Sequence, residues 1–162
     1  MGAELSTEGT EIYLFRSEVT VTIGTGDDAI IGMRGYLVIN NIPYHTLERG
    51  GNYVRLNVGE SYLAIMEKHS KKEAWNNNHL FRIMDLKGNY IMRWDSEKKK
   101  DTERGFLMHS CYEVAGLSGC VAPGTSQTAT GINGSKTAMK QIIQHLGGFA
   151  PGRRFKLNVN RL

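Results

Sequence analysis

His109 and Cys120 are the residues whose types and spacing suit catalysis, eleven positions apart (109 to 120). A cysteine attacks as the thiolate, which forms near neutral pH when a base such as imidazole lies within hydrogen-bond reach. Gly119 precedes the cysteine; lacking a Cβ, it lets backbone N–H groups face a reacting carbonyl. The apolar run Phe106-Leu107-Met108 leads into His109. A loop of small and mixed residues follows, then Ser118-Gly119-Cys120-Val121 re-enters an apolar strand that Pro123-Gly124 ends. Two strands joined by such a loop are expected to bring His109 and Cys120 to the same end of a sheet, as a cysteine acyl-transfer site requires. Ser118 is assigned a part in orienting His109 or donating to an oxyanion. Ser110, Tyr112 and Glu113 are expected beside the site, where a substrate would pass.

The same residues have plainer uses. Free cysteine is among the most buried residue types, so Cys120 also suits a core. Cys111, two positions after His109, would share its strand face. Packing, a disulfide to Cys120, or a zinc set of His109, Cys111 and Cys120 with one place open all remain as alternatives. No Cys-x-x-Cys pair supports the metal, and no cofactor is expected. His45, His69 and His79 lack ligand spacing and are read as ordinary surface residues; His145 falls late in a helix, where a cation suits the dipole. Trp75 and Trp94 are expected to pack at a sheet edge, and Lys98-Lys99-Lys100 to form a solvated turn.

Bulk composition narrows the class. A chain of 162 residues, 40% hydrophobic and 22% charged, suits one domain with a real core. With 19 Gly and only 3 Pro, turns and short strands are expected. The formal charge of +4 fits an anionic partner such as a cell-wall polymer. No basic stripe with interleaved aromatics argues for nucleic acid. Two cysteines are too few for a disulfide scaffold. No apolar run is long enough to span a membrane. The acidic start MGAELSTEGTE does not resemble a secretory signal, though Gly2 and Ser6 fit a loose myristoylation pattern.

The elements that must carry the pair read as mostly β. Residues 1–10 are expected to be a loose arm. Glu11–Gly24 reads as one strand or two joined by a bend, and Ala29–Asn40 as another, ending in the turn Asn40-Asn41. Ile42–Arg49 leads to Gly50-Gly51. NYVRLNVGESYLAIME gives a strand, a turn and a further strand, and Lys68–Asn78 is a polar loop. HLFRIMD is expected to pair with YIMRWD across the tight turn Lys87-Gly88-Asn89, and Glu97–Arg104 to be a charged connection. One helix is expected from an N-cap at Ser135, with Ala138, Met139, Ile142, Ile143 and Leu146 on one face and a stop at Gly147-Gly148. Arg153–Asn160 would be a last strand.

His109, Gly119 and Cys120 give the chain a resemblance to L,D-transpeptidase catalytic domains, in which a His on one strand faces a Ser/Thr-His-Gly-Cys-apolar-Arg run on the next. The chain more closely resembles an uncharacterised family common in phage-derived and bacterial genes. Its marks here are Thr46-Leu47-Glu48, Met108-His109, and Gly119-Cys120-Val121-Ala122-Pro123-Gly124. The resemblance covers roughly residues 30–148. It implies a mainly β, L,D-transpeptidase-like sandwich or barrel of short strands with one packed C-terminal helix. Against the transpeptidase run this chain reads Leu117-Ser118-Gly119-Cys120-Val121-Ala122, so the Ser/Thr, the second His and the Arg are missing. Glu48 is expected to hold a loop by hydrogen bonds.

The resemblance further implies a cysteine peptidase or transpeptidase acting on peptidoglycan stem peptides. It would be made in the cytoplasm and act in a host envelope or within a virion, as a phage lysis protein or antibacterial effector. The alternative is a binding or structural module that keeps the fold without the chemistry.

Overall fold

A computed structural model describes residues 2–51, 55–69, 79–95, 97–111, 117 and 120–162. The expected turn-rich β pattern is present: twelve strands and one α-helix are found among these residues. Eight strands close into a barrel: β1 (Ile12–Ile23), β2 (Ile30–Ile39), β3 (Ile42–Arg49), β4 (Ser61–Lys68), β5 (His79–Met84), β8 (Leu107–Met108), β9 (Val121–Gly124) and β12 (Arg154–Arg161). Their order around the wall is β1-β12-β4-β5-β8-β9-β3-β2. The remaining strands form two ribbons, β6 (Ile91–Asp95) with β7 (Lys100–Arg104), and β10 (Ser126–Gln127) with β11 (Ile132–Asn133).

Period-two alternation explains the barrel. Alternate positions in β1, β2, β5 and β12 supply large apolar side chains that point inward together: Ile12, Leu14, Leu37, Ile39, Phe81, Ile83, Phe155, Leu157 and Val159. Each such side chain taken fully out of water contributes about 1.5–3 kcal/mol. Helix α1 (Ser135–His145) adds Ala138, Met139, Ile142 and Ile143 to the same interior core, the face its 3.6-residue period predicts. A second, smaller apolar cluster lies on the outer surface of the wall, where Val21, Leu47, Ala122, Ile132 and Leu117 meet Cys120.

Several elements differ from expectation. HLFRIM (β5) pairs with β4 and β8, not with the strand after it. The partner of β6 is β7, so the lysine run turns a hairpin inside what was expected to be a connection; Lys99 supplies the turn at φ 53°. Ile42–Arg49 is a full strand despite Pro43, and its eight residues pair along β2. Among residues 55–57 no strand forms, and 52–54 of the same expected strand lie outside the described residues. Residues 2–11 have no regular structure, as an arm would, yet they are fastened. Leu5 N–H donates to the Leu86 carbonyl, and Arg153 Nε donates to Glu8 at 2.7 Å.

The helix start also departs from expectation. Its N-cap is Gly134, at φ 66°, not Ser135. A Cβ built there would lie 2.1 Å from the Thr125 hydroxyl, so only glycine fits. Ser135 is thereby released for another task.

Candidate active site

β8 and β9 are neighbours in the wall, and they run parallel, with Met108 opposite Val121. A parallel pair needs a long crossover, which residues 109–120 supply. The pairing therefore does not set His109 and Cys120 at one end, as two strands meeting at a loop would. His109 lies one step past the Met108–Val121 pair and Cys120 one step before it, so they are diagonal neighbours. Met108 and Val121 belong to the interior core, whereas Leu107, Cys120 and Ala122 belong to the outer cluster. Alternation thus turns the 109 and 120 positions to the same, outer face. Side chains in the diagonal relation across a sheet still reach one another when one is as long as histidine.

His109 is held by two hydrogen bonds. Its N–H donates to the Val121 carbonyl at 3.1 Å. Its Nδ1 lies 2.9 Å from the Ser110 carbonyl. A carbonyl can only accept, so Nδ1 carries the proton and Nε2 of the neutral ring is the acceptor. His109 is buried, and burial pushes its pKa below the ordinary value; the Ser110 carbonyl pulls the other way and the charge of His69 adds to the lowering. A neutral imidazole with a committed Nδ1–H is the form that accepts a thiol proton. Ser110 is buried and orients the ring through its carbonyl.

Ser135 braces the start of the crossover. Its hydroxyl donates to the Pro123 carbonyl at 2.6 Å and accepts from Cys111 N–H at 2.9 Å, with the side chain fully buried. One residue thereby ties α1, β9 and the segment after His109 together. The residue suspected as a cap is a clamp for the site.

Cys120 is 8% exposed and Cys111 half-buried, and no disulfide joins the two. Among the described residues no group of three or more His, Cys, Asp or Glu side chains could hold a metal ion. Two arginines flank the cysteine's level of the wall. Arg49 follows Glu48, the partner of Val121, and so stands at the Cys120 level of β3; its Nη1 donates to the Leu117 carbonyl at 3.3 Å. Arg82 pairs with Leu107, the residue at the Cys120 level of β8. It forms a two-pronged ion pair with Glu67, at 2.9 and 3.0 Å, and this raises its pKa. A smaller contribution to the same shift comes from the charge of an ionised Cys120. By reciprocity Arg82 favours the thiolate.

Sequence reasoning missed Arg49, Arg82 and the role of Ser135. Arg49 sits directly after the Thr46-Leu47-Glu48 marker, but nothing in a single sequence says that β3 and β5 flank the β8–β9 pair. Of the other expected residues, Tyr112, Glu113, Ser118, Gly119 and Trp75 lie outside the described residues, as does the side chain of Trp94. His79 is not an ordinary surface residue: it stacks on Phe149, with ring centroids 3.6 Å apart. Glu48 is fully buried and accepts two hydrogen bonds from Arg16, at 2.9 and 2.7 Å. Arg16 in turn donates to the Leu56 carbonyl, so Glu48 fixes the segment before β4 through its partner.

No protein-family model, curated protein or solved structure matches the chain. Among the described residues no helix is long and apolar enough to cross a membrane.

Proposed function

We propose that the protein is a cysteine-dependent acyl-transfer enzyme of L,D-transpeptidase-like fold that cleaves or exchanges peptide bonds in peptidoglycan stem peptides. The observation that carries the proposal is the diagonal placement of His109 and Cys120 on one outer face of the β8–β9 pair. The Cys120 thiol gives its proton to Nε2 of His109, and the thiolate attacks the substrate carbonyl carbon. The tetrahedral oxyanion collapses, and the leaving amine takes the proton back from the imidazolium. Water or an incoming amine then releases the acyl group from the thioester, so hydrolysis and transpeptidation are two endings of one sequence. Arg49, and Arg82 in its ion pair with Glu67, stand at the cysteine's level, where this chain's motif lacks the arginine of the transpeptidase run. The peptidoglycan substrate, and work in a host envelope as a lysis protein or antibacterial effector, rest on the motif resemblance.

One observation favours a second reading, a non-catalytic binding or structural module: Cys120 packs with Leu47, Leu117 and Ala122 in an apolar cluster. Mass spectrometry of muropeptides after incubation with the protein separates the two. The enzyme reading expects new cleaved or cross-linked peptides that vanish with Cys120→Ala. An unchanged muropeptide profile with the native protein favours the module.

A further inference from the structure

Away from Cys120, the barrel wall opens beside the Arg16–Glu48 pair. The β1–β2 ladder slips between Arg16 and Thr20, so residues 17–19 bulge out of the wall. The bulge borders a cavity of about 320 Å³ lined by Arg16, Glu18, Arg55 and Arg161, with Met33 and Val58 as its apolar wall.

The three guanidinium groups are not equally occupied. Arg16 is neutralised by Glu48. Arg161 reaches Glu18 at 3.4 Å, but both side chains are largely exposed, which makes the pair weak. Arg55 is different: its Nη1 is buried and has no hydrogen-bond partner among the described residues. A buried guanidinium nitrogen without an acceptor is costly, and such groups are found satisfied in nearly all proteins. The neighbourhood also keeps space for it. A Cβ at Gly50 would come within 3.4 Å of Arg55 Nη1 and 3.1 Å of Ile31.

We propose that this cavity is a binding site for a small ligand bearing an oxyanion group, a carboxylate or a phosphate. The group sits on Arg55 and Arg161, and an adjoining apolar part lies against Met33 and Val58. Guanidinium forks match both oxyanions in geometry. Arg16 stays with Glu48 and borders the site as a fixed, neutralised wall. The site is separate from Cys120, since Glu48 sits in the buried interior while Cys120 belongs to the outer cluster, and it does not depend on the acyl-transfer proposal.

The test is calorimetric titration of the whole protein with inorganic phosphate and, separately, with N-acetylalanine at low ionic strength. One saturable site is expected for at least one probe, and the tighter probe tells a phosphorylated from a carboxylated ligand. Arg55→Met should weaken binding by about tenfold or more, as expected for a lost charged hydrogen bond. Its melting temperature without ligand should stay level or rise, because an unsatisfied buried group has gone. A merely structural arginine would instead lower it. Should Arg55→Met fail to fold, Arg161→Gln, at an exposed position, should still weaken binding measurably. Absence of saturable binding by both probes, or affinity unchanged in the folded variants, would overturn the proposal.

Discussion

The N–H of His109 donates to the carbonyl of Val121 at 3.1 Å, joining the residue after β8 to the residue after Cys120. Because β8 and β9 run parallel, this bond fixes both members of the candidate pair relative to Met108 and Val121. Their diagonal relation is therefore a property of the wall, whatever the intervening loop does.

The two thiols should separate cleanly. Cys111 is held through its N–H by Ser135, and its side chain belongs to the rim of the outer cluster. Cys111→Ser is expected to keep muropeptide turnover and Cys120→Ser to lose it. Thiol titration of the denatured native protein without reductant should find both cysteines reactive, since neither is in a disulfide. Equal loss of turnover in the two variants would mean that Cys111 shares the chemistry.

The Arg16–Glu48 pair is buried inside the barrel wall, with side-chain exposures of 9% and 0%. Removing one partner strands the other charge, at a cost of about 3–5 kcal/mol. Glu48→Ala should therefore lose about that much in urea unfolding, whereas Arg16→Met with Glu48→Met together should recover much of it. A loss in Glu48→Ala below about 1 kcal/mol, the range of exposed pairs, would show that the pair is not buried in solution.

Histidine burial predicts a pH dependence. Burial lowers the pKa of His109 below its ordinary 6.5. His79 is lowered by burial first and then by the charge of Lys68. Below 6.5 the unfolded chain binds protons that the native protein resists, so stability is full above that value and falls as the pH drops through it. Urea midpoints should be lower at about pH 5.5 than at about pH 7.5, and the difference should shrink in His109→Gln with His79→Gln. An equal difference in that double variant would assign the pH dependence to other groups.

Ile30–Ile39, which alternates only from Gly35 onward, was legible from its β-branched and apolar content, while Arg154–Arg161 alternates cleanly and was legible because one face is buried. The helix was legible for the same reason at a period of 3.6. Pairing was not: Lys87-Gly88-Asn89 looks like a hairpin turn, yet β5 takes its partners from β4 and β8, a choice set by long-range packing. His109 and Cys120 stood out by residue type alone. The cations around them did not, because Arg49 and Arg82 reach the cysteine's level only when distant strands close the barrel. Ser135 looked like a cap since capping is the commonest use of a serine before a helix; Gly134 took that position and left the hydroxyl to the crossover.

The pair itself is tested most directly by the pH profile of Cys120 alkylation with iodoacetamide, measured in a Cys111→Ser background so that one thiol reports. With His109 beside the thiol and Arg82 favouring the thiolate, alkylation should be fast near neutral pH, below the value of about 8.5 typical of a free thiol. In His109→Ala the rate should drop and the profile should move up by about one pH unit, equivalent to about 1.4 kcal/mol of lost interaction. Coincident profiles in the two proteins would contradict the pairing of His109 with Cys120 and leave the binding module as the function of the fold.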